Sequence, residues 1–204
     1  MMKSHRWFRN ISSIFAVSCG AVLLSACVSL GTKAPISLLT LSSDAAVSPG
    51  ASKNGMPKDA LVILVPEVPR KLDTNRVPVQ VDAGNIAYLK DSVWADKPAI
   101  LFQQLMAETI SANNGTLVLS EVETSGKAEQ FLSGQLIEFG IDSTTMEAVV
   151  IFDAVSISKG KPIEKRRFQT REAVTQIEPG DAGAALNSSA NKIAAEIASW
   201  LAAN

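Results

Sequence analysis

Cysteine and histidine do much of the side-chain chemistry of proteins near neutral pH, and this chain holds two cysteines and one histidine. His5 and Cys19 lie inside its first stretch, and Cys27 closes that stretch directly behind Leu24-Ser25-Ala26. The stretch has a cationic start (Lys3, Arg6, Arg9), an apolar run over 14–24 and small residues before Cys27. That is the three-part pattern of a secretory signal peptide. The apolar run is far short of the ~20 residues a spanning helix needs, and Ser and Gly interrupt it. A thiolate sulfur is a strong nucleophile.

The end Leu24-Ser25-Ala26-Cys27 resembles the bacterial lipobox. The resemblance implies a diacylglyceryl thioether on Cys27, signal cleavage between Ala26 and Cys27, and acylation of the new amino terminus. Each buried CH₂ of an acyl chain contributes ~0.8 kcal/mol, and stable anchoring takes two such signals. A multiply acylated Cys27 therefore holds the protein on a membrane. Val28, not Asp, follows the cysteine, and the sorting rule carried by the resemblance then implies the outer membrane, facing the periplasm. The alternative is an ordinary export signal with an incidental Cys27.

Without residues 1–26 the chain has no imidazole, and its one thiol is that of Cys27. This excludes a histidine general base, a Ser-His pair, and the common His and Cys ligand sets for zinc or copper. No G-x-S-x-G, P-loop or G-x-G-x-x-G motif is present. An envelope hydrolase would need an unusual Ser-Lys or carboxylate pair. Glu138, Asp142, Asp153 and Glu164 lack the dense spacing of a calcium loop, so no metal and no cofactor are expected. The net charge of −1, without a basic or acidic block, argues against nucleic acid as a partner.

Positioning such an anchor and its cargo falls to a folded part of ordinary single-domain size, and an apolar share of 47% supplies its core. The boundaries read as a signal peptide over 1–26, a lipidated N-terminus with a short strand and flexible linker over 27–58, and a domain over 59–204. Within the linker, the short apolar run 36–41 reads as a first strand, and residues 44–58 carry the turn signals Pro49-Gly50 and Asn54-Gly55. The continuous apolar run 61–65 predicts a strand buried on both faces. Residues 77–81 form a strand whose Pro78 places it at an edge or a strand start, and 86–89 form another. Asp96 as N-cap and Pro98 in the first turn open a helix over 97–111, and Asn113-Asn114-Gly115 stops it. A short strand over 117–119 follows.

Strands over 130–139, 148–158 and 164–175 come next, the last two joined by the turn 158–162 as an antiparallel hairpin. Alternation puts Phe131, Ile137 and Phe139 on one side of the first of these, and Leu132 and Leu136 on the other. Arg167 and Arg171 share one face of the third, Arg166 the other. A final helix over 182–202 has the apolar stripe Leu186, Ala190, Ile193, Ile197 and Trp200. The fold class is thus α/β: one small domain, a mixed β-sheet covered by two main helices, with an antiparallel meander in the second half.

Across these elements the chain resembles the ABC-type transport auxiliary lipoprotein family. The residues that carry the likeness are Leu38-Leu39-Thr40-Leu41-Ser42, the strand ending at Pro66, Leu72-Asp73, Arg76-Val77-Pro78-Val79, Tyr88 and Trp94-Ala95. The resemblance implies a fold like the small α/β domain of anticodon-binding and TolB N-terminal proteins. It implies a non-enzymatic outer-membrane partner, paraquat-inducible protein C-like, that docks the MCE-domain tunnel protein of a lipid transport system. The permease and ATPase of that system work at the inner membrane. A homo-oligomer ring is also implied.

Arg76, Tyr88 and Trp94 are the candidate partner-binding residues, since aromatic and Arg side chains dominate interface hot spots. The competing reading packs Tyr88 and Trp94 around the helix entry and leaves Arg76 solvated. The alternative function is a lipoprotein that itself binds and carries lipid, which requires a large apolar concavity.

Overall fold

The computed structural model describes residues 36–203; Ala26, Cys27 and the leader lie outside the described residues. The strands begin with β1 (Ser37–Leu39), β2 (Leu61–Ile63), β3 (Pro78–Gln80), β4 (Ile86–Tyr88) and β5 (Ser92–Trp94). Helix α1 (Pro98–Asn114) and the short α2 (Glu121–Thr124) follow. The chain closes with β6 (Gln130–Asp142), β7 (Glu147–Ser158), β8 (Glu164–Ala173) and helix α3 (Pro179–Ala202). This is the mixed α/β domain expected from the sequence, with α1 and α3 as its main helices.

β6, β7 and β8 form the meander, and β4-β3-β6-β7-β8 is the strand order of a six-stranded sheet in which β2 also pairs β6. β2 lies parallel to the first residues of β6, and β3 lies parallel to its last. Pro78 is the first residue of β3, the position where a missing N–H is tolerated. All three residues of β2 are buried, as its unbroken apolar run requires. Residues 117–119 contribute one bridge, Val118 opposite Leu61, and not a full strand.

A register shift between Leu136 and Glu138 corrects the alternation expected for β6. Ile137 is the extra residue of a β-bulge, so the side-chain phase flips behind it. Leu132 and Leu136 before the bulge, and Phe139 and Ile141 after it, all reach the same core. The ring of Phe102 on α1 lies 6.2 Å from Phe139 and 5.4 Å from Phe152, the latter edge-on. Trp94 stands 5.4 Å from Phe139 on its other side, and Phe168 stands 5.7 Å from Trp200 of α3. Such pairs add ~0.5–1.5 kcal/mol each beyond the area they bury.

Lys97, not Asp96, is the N-cap of α1, and it makes no side-chain cap bond. The Asp96 carboxylate accepts the Lys97 N–H at 2.7 Å, one residue too early to reach the first turn. Gly115 ends the helix at φ 63°, the left-handed value glycine adopts without penalty. α3 starts at Pro179, and its buried stripe includes Leu186, Ala190, Ile193, Ile197 and Trp200. It packs on α1, β7 and β8, so both helices cover one face of the sheet.

The segment read as a flexible linker is irregular but fastened. Asn191 of α3, 7% exposed, accepts the Asp44 N–H at 2.8 Å and donates to the Ser42 carbonyl at 2.8 Å. Asn187 accepts the Ser42 N–H at 2.9 Å, and Glu108 of α1 accepts the Val47 N–H at 2.8 Å. Helix side chains thus satisfy backbone groups that a sheet would otherwise pair.

Gly134 is where β6 tolerates least change. Its φ is +154°, and a Cβ there would fall 2.1 Å from the Asp153 carbonyl oxygen. Gly134→Ala is expected to cost at least the ~1–3 kcal/mol typical of overpacking. Gly180→Ala, with nothing within 4 Å, is expected to leave stability unchanged or raise it by up to ~1 kcal/mol. Urea unfolding midpoints of the two variants check both.

Candidate interaction surface

With α1 and α3 on one face, the other face of β6, β7 and β8 carries side chains that answer neither helix. Register sets its pattern: Phe131 opposite Ile157, Gln135 opposite Asp153, Glu138 opposite Ile151, Asp153 opposite Arg167, and Val149 opposite Arg171. The result is a half-buried aliphatic strip flanked by paired charges. Asp153 is 7% exposed and takes two hydrogen bonds from Arg167, from Nε at 2.6 Å and Nη2 at 2.9 Å. Lys165 stands 3.6 Å from the same carboxylate. Arg171 donates to Glu147 at 2.9 Å, and Lys71 pairs with Glu138.

These contacts set the titration of the face. The hydrogen bonds from Arg167 hold the Asp153 carboxyl below the usual carboxylate range and outweigh the burial that pushes it up. The same contact raises Arg167. Arg171 likewise holds Glu147 low. At the β3–β4 side of the face lies a groove of about 260 Å³, lined by Lys71, Pro78, Gln80, Ile86, Glu138, Asp142, Val149, Ile151 and Arg171. Pockets that enclose a drug-sized ligand run ~300–1,000 Å³. At the other end of the strands, Phe131 and Ile157 floor an open depression beside Lys58, Lys127 and Lys159.

The three sequence-selected residues separate. Arg76 is exposed, and its guanidinium carbon sits 4.2 Å from the centroid of the half-buried Tyr88 ring. The pair, worth ~0.5–1 kcal/mol at an exposed site, is a cationic-aromatic feature at the end of the edge strand β4. Trp94 is a correction. At 1% exposure it is a core residue, because β5 sets it opposite Leu39 and turns both inward. Its N–H bonds Asn75 O at 2.7 Å through the backbone, while Nε1 makes no hydrogen bond. The competing reading, packing at the helix entry, describes Trp94.

Sequence reasoning named Asp153 and Arg167 separately and missed that they pair. The signal was the turn: residues equidistant from Gly160, such as Phe152 and Phe168, face each other across the hairpin. Gly160, at φ 79°, supplies the left-handed turn position that sets this register.

The arrangement is that of a small mixed α/β domain that presents a surface, with its helices committed to one side of the sheet. Residues 39–198 match the family described as the ABC-type transport auxiliary lipoprotein component, and the chain belongs to that family. No catalytic family is indicated. The chain is similar in fold to a crystallised protein from Xanthomonas campestris, at 13% identity and a TM-score of 0.67, over 82% of this chain and 95% of that one. A second, uncharacterised crystal structure is similar at 16% identity and a TM-score of 0.65, over 82% of this chain and 99% of that one. No curated protein matches the chain by sequence. Among the described residues no helix is long and apolar enough to cross a membrane.

The Asp153–Arg167 pair makes a pH prediction. The native carboxyl lies below its unfolded value of ~3.9, so the pair contributes stability above that pH and loses it as pH falls through the native value. Asp153→Asn is expected to cost about 1 kcal/mol at pH 7, a value kept small because solvent reaches Arg167. The difference from the unsubstituted protein should shrink toward pH 2. Urea denaturation at several pH values reads it.

Proposed function

We propose that this protein is the outer-membrane lipoprotein of an MCE-type ABC transport system that moves phospholipid between membranes and maintains the envelope. It docks the periplasmic tunnel protein, whose permease and ATPase work at the inner membrane. Family membership, joined to an export leader ending in Leu24-Ser25-Ala26-Cys27, carries this reading. Cleavage follows Ala26, Cys27 takes the acyl chains, and Val28 directs the product to the outer membrane, facing the periplasm. The pair of exposed Arg76 and half-buried Tyr88 serves the partner, with self-association into a ring giving several such pairs to one tunnel. Docking is favoured over lipid carriage because neither the groove, at about 260 Å³, nor the depression at Phe131 and Ile157, larger at about 640 Å³ but open to solvent, forms the enclosed apolar cavity a carrier needs.

The test is an affinity pull-down of tagged, crosslinked protein from solubilised envelopes, read by mass spectrometry. Recovery of an MCE-domain protein with its permease is the expected result. Absence of such a partner, with stoichiometric phospholipid on the purified protein, would replace docking by carriage. Arg76→Glu with Tyr88→Ala is expected to weaken partner recovery roughly tenfold, about 1.4 kcal/mol, while leaving the circular dichroism spectrum unchanged.

A further inference from the structure

Residues 28–35 join Cys27 to Ile36. Fully extended, such a stretch reaches roughly 30 Å, so β1 lies within that distance of whatever holds Cys27. The Ser37 N–H donates to the Asp91 carbonyl at 2.9 Å, and Leu38 lies opposite Val93 on β5. Alternation turns Leu39 and Trp94 into the core, and Ile36, Leu38 and Val93 outward. Ile36 is 59% exposed and Leu38 is 69% exposed. Beside them, at the turn that Ser37 bonds, the Lys90 side chain is 90% exposed and its ammonium stands 3.7 Å from the Asp91 carboxylate. Close after Cys27 in sequence, residues 36–38 thus show water two large aliphatic side chains, with the Lys90–Asp91 pair next to them.

We infer that the outer face of the β1–β5 pair, formed by Ile36, Leu38 and Val93 with Lys90, rests on the bilayer that carries the Cys27 anchor. The inference depends on the lipid anchor proposed above. Aliphatic side chains enter the boundary between headgroups and acyl chains, and the Lys90–Asp91 pair beside them offers one charge of each sign to a zwitterionic headgroup. Three aliphatic side chains would hold a free protein only weakly. On a short tether the contact is intramolecular, with an effective concentration in the ~mM range. The tether length and its point of entry therefore select a lipid surface as the occupant.

Leu38→Cys in the full, exported chain adds one thiol to a folded domain that has none. The variant is labelled with bimane and reconstituted in phosphatidylethanolamine–phosphatidylglycerol vesicles that contain doxyl-labelled lipid. The expected result is severalfold stronger quenching at position 38 than for the same label at Val122→Cys, a site 87% exposed on α2. Intact mass on the same samples reads acylation. An acylated protein with equally weak quenching at both sites overturns the contact surface and leaves the anchor standing. An unacylated protein overturns the anchor and the surface with it. Crosslinking between copies through position 38, without lipid quenching, would make the patch a subunit interface and also overturn the inference.

Discussion

Phe139 is the contact on which the two parts of the domain depend. Its ring meets Trp94 from the β5 side and Phe102 from α1, so one side chain joins the N-terminal strands, the first helix and the meander. It faces them only because the bulge at Ile137 shifts β6 by one residue. In a straight strand Leu136 and Phe139 would point to opposite faces, and the cluster of rings would lose its centre. The glycine at 134 belongs to the same device, since its missing Cβ lets β7 approach in the stretch before the bulge.

Committing both helices to that core leaves the other sheet face to manage itself. It does so with cross-strand ion pairs above an aliphatic strip, and those pairs keep the long basic side chains of β8 over the apolar residues beneath. β8 lies at the edge of the sheet, with β7 as its one strand partner, and charged side chains along an edge discourage unwanted strand pairing.

Much of the architecture was legible because it rests on periodicity. The stripe from Leu186 to Trp200 and the hairpin around Gly160 each follow from spacing and turn chemistry alone. What escaped were features set by long-range partners. The bulge at Ile137 leaves no mark in composition, and the strand assigned to 130–139 was therefore given the wrong alternation. β5 is only three residues long and exists through its pairing with β1. Trp94 was ambiguous because an aromatic before a helix serves a core or a partner equally well. Only the pairing of β5 with β1 decides it. Residues 44–58 have the composition of a loose loop, and nothing local announces that Asn191 will hold their start.

Asn191 has a consequence in time. It bonds the backbone of Ser42 and Asp44, residues 149 and 147 positions away, so the beginning of the domain is tied down by its end. A chain that emerges amino terminus first cannot complete these bonds until the last helix has formed. Until then Ser42 and Asp44 lack these partners, and the closing helix is the latch that supplies them.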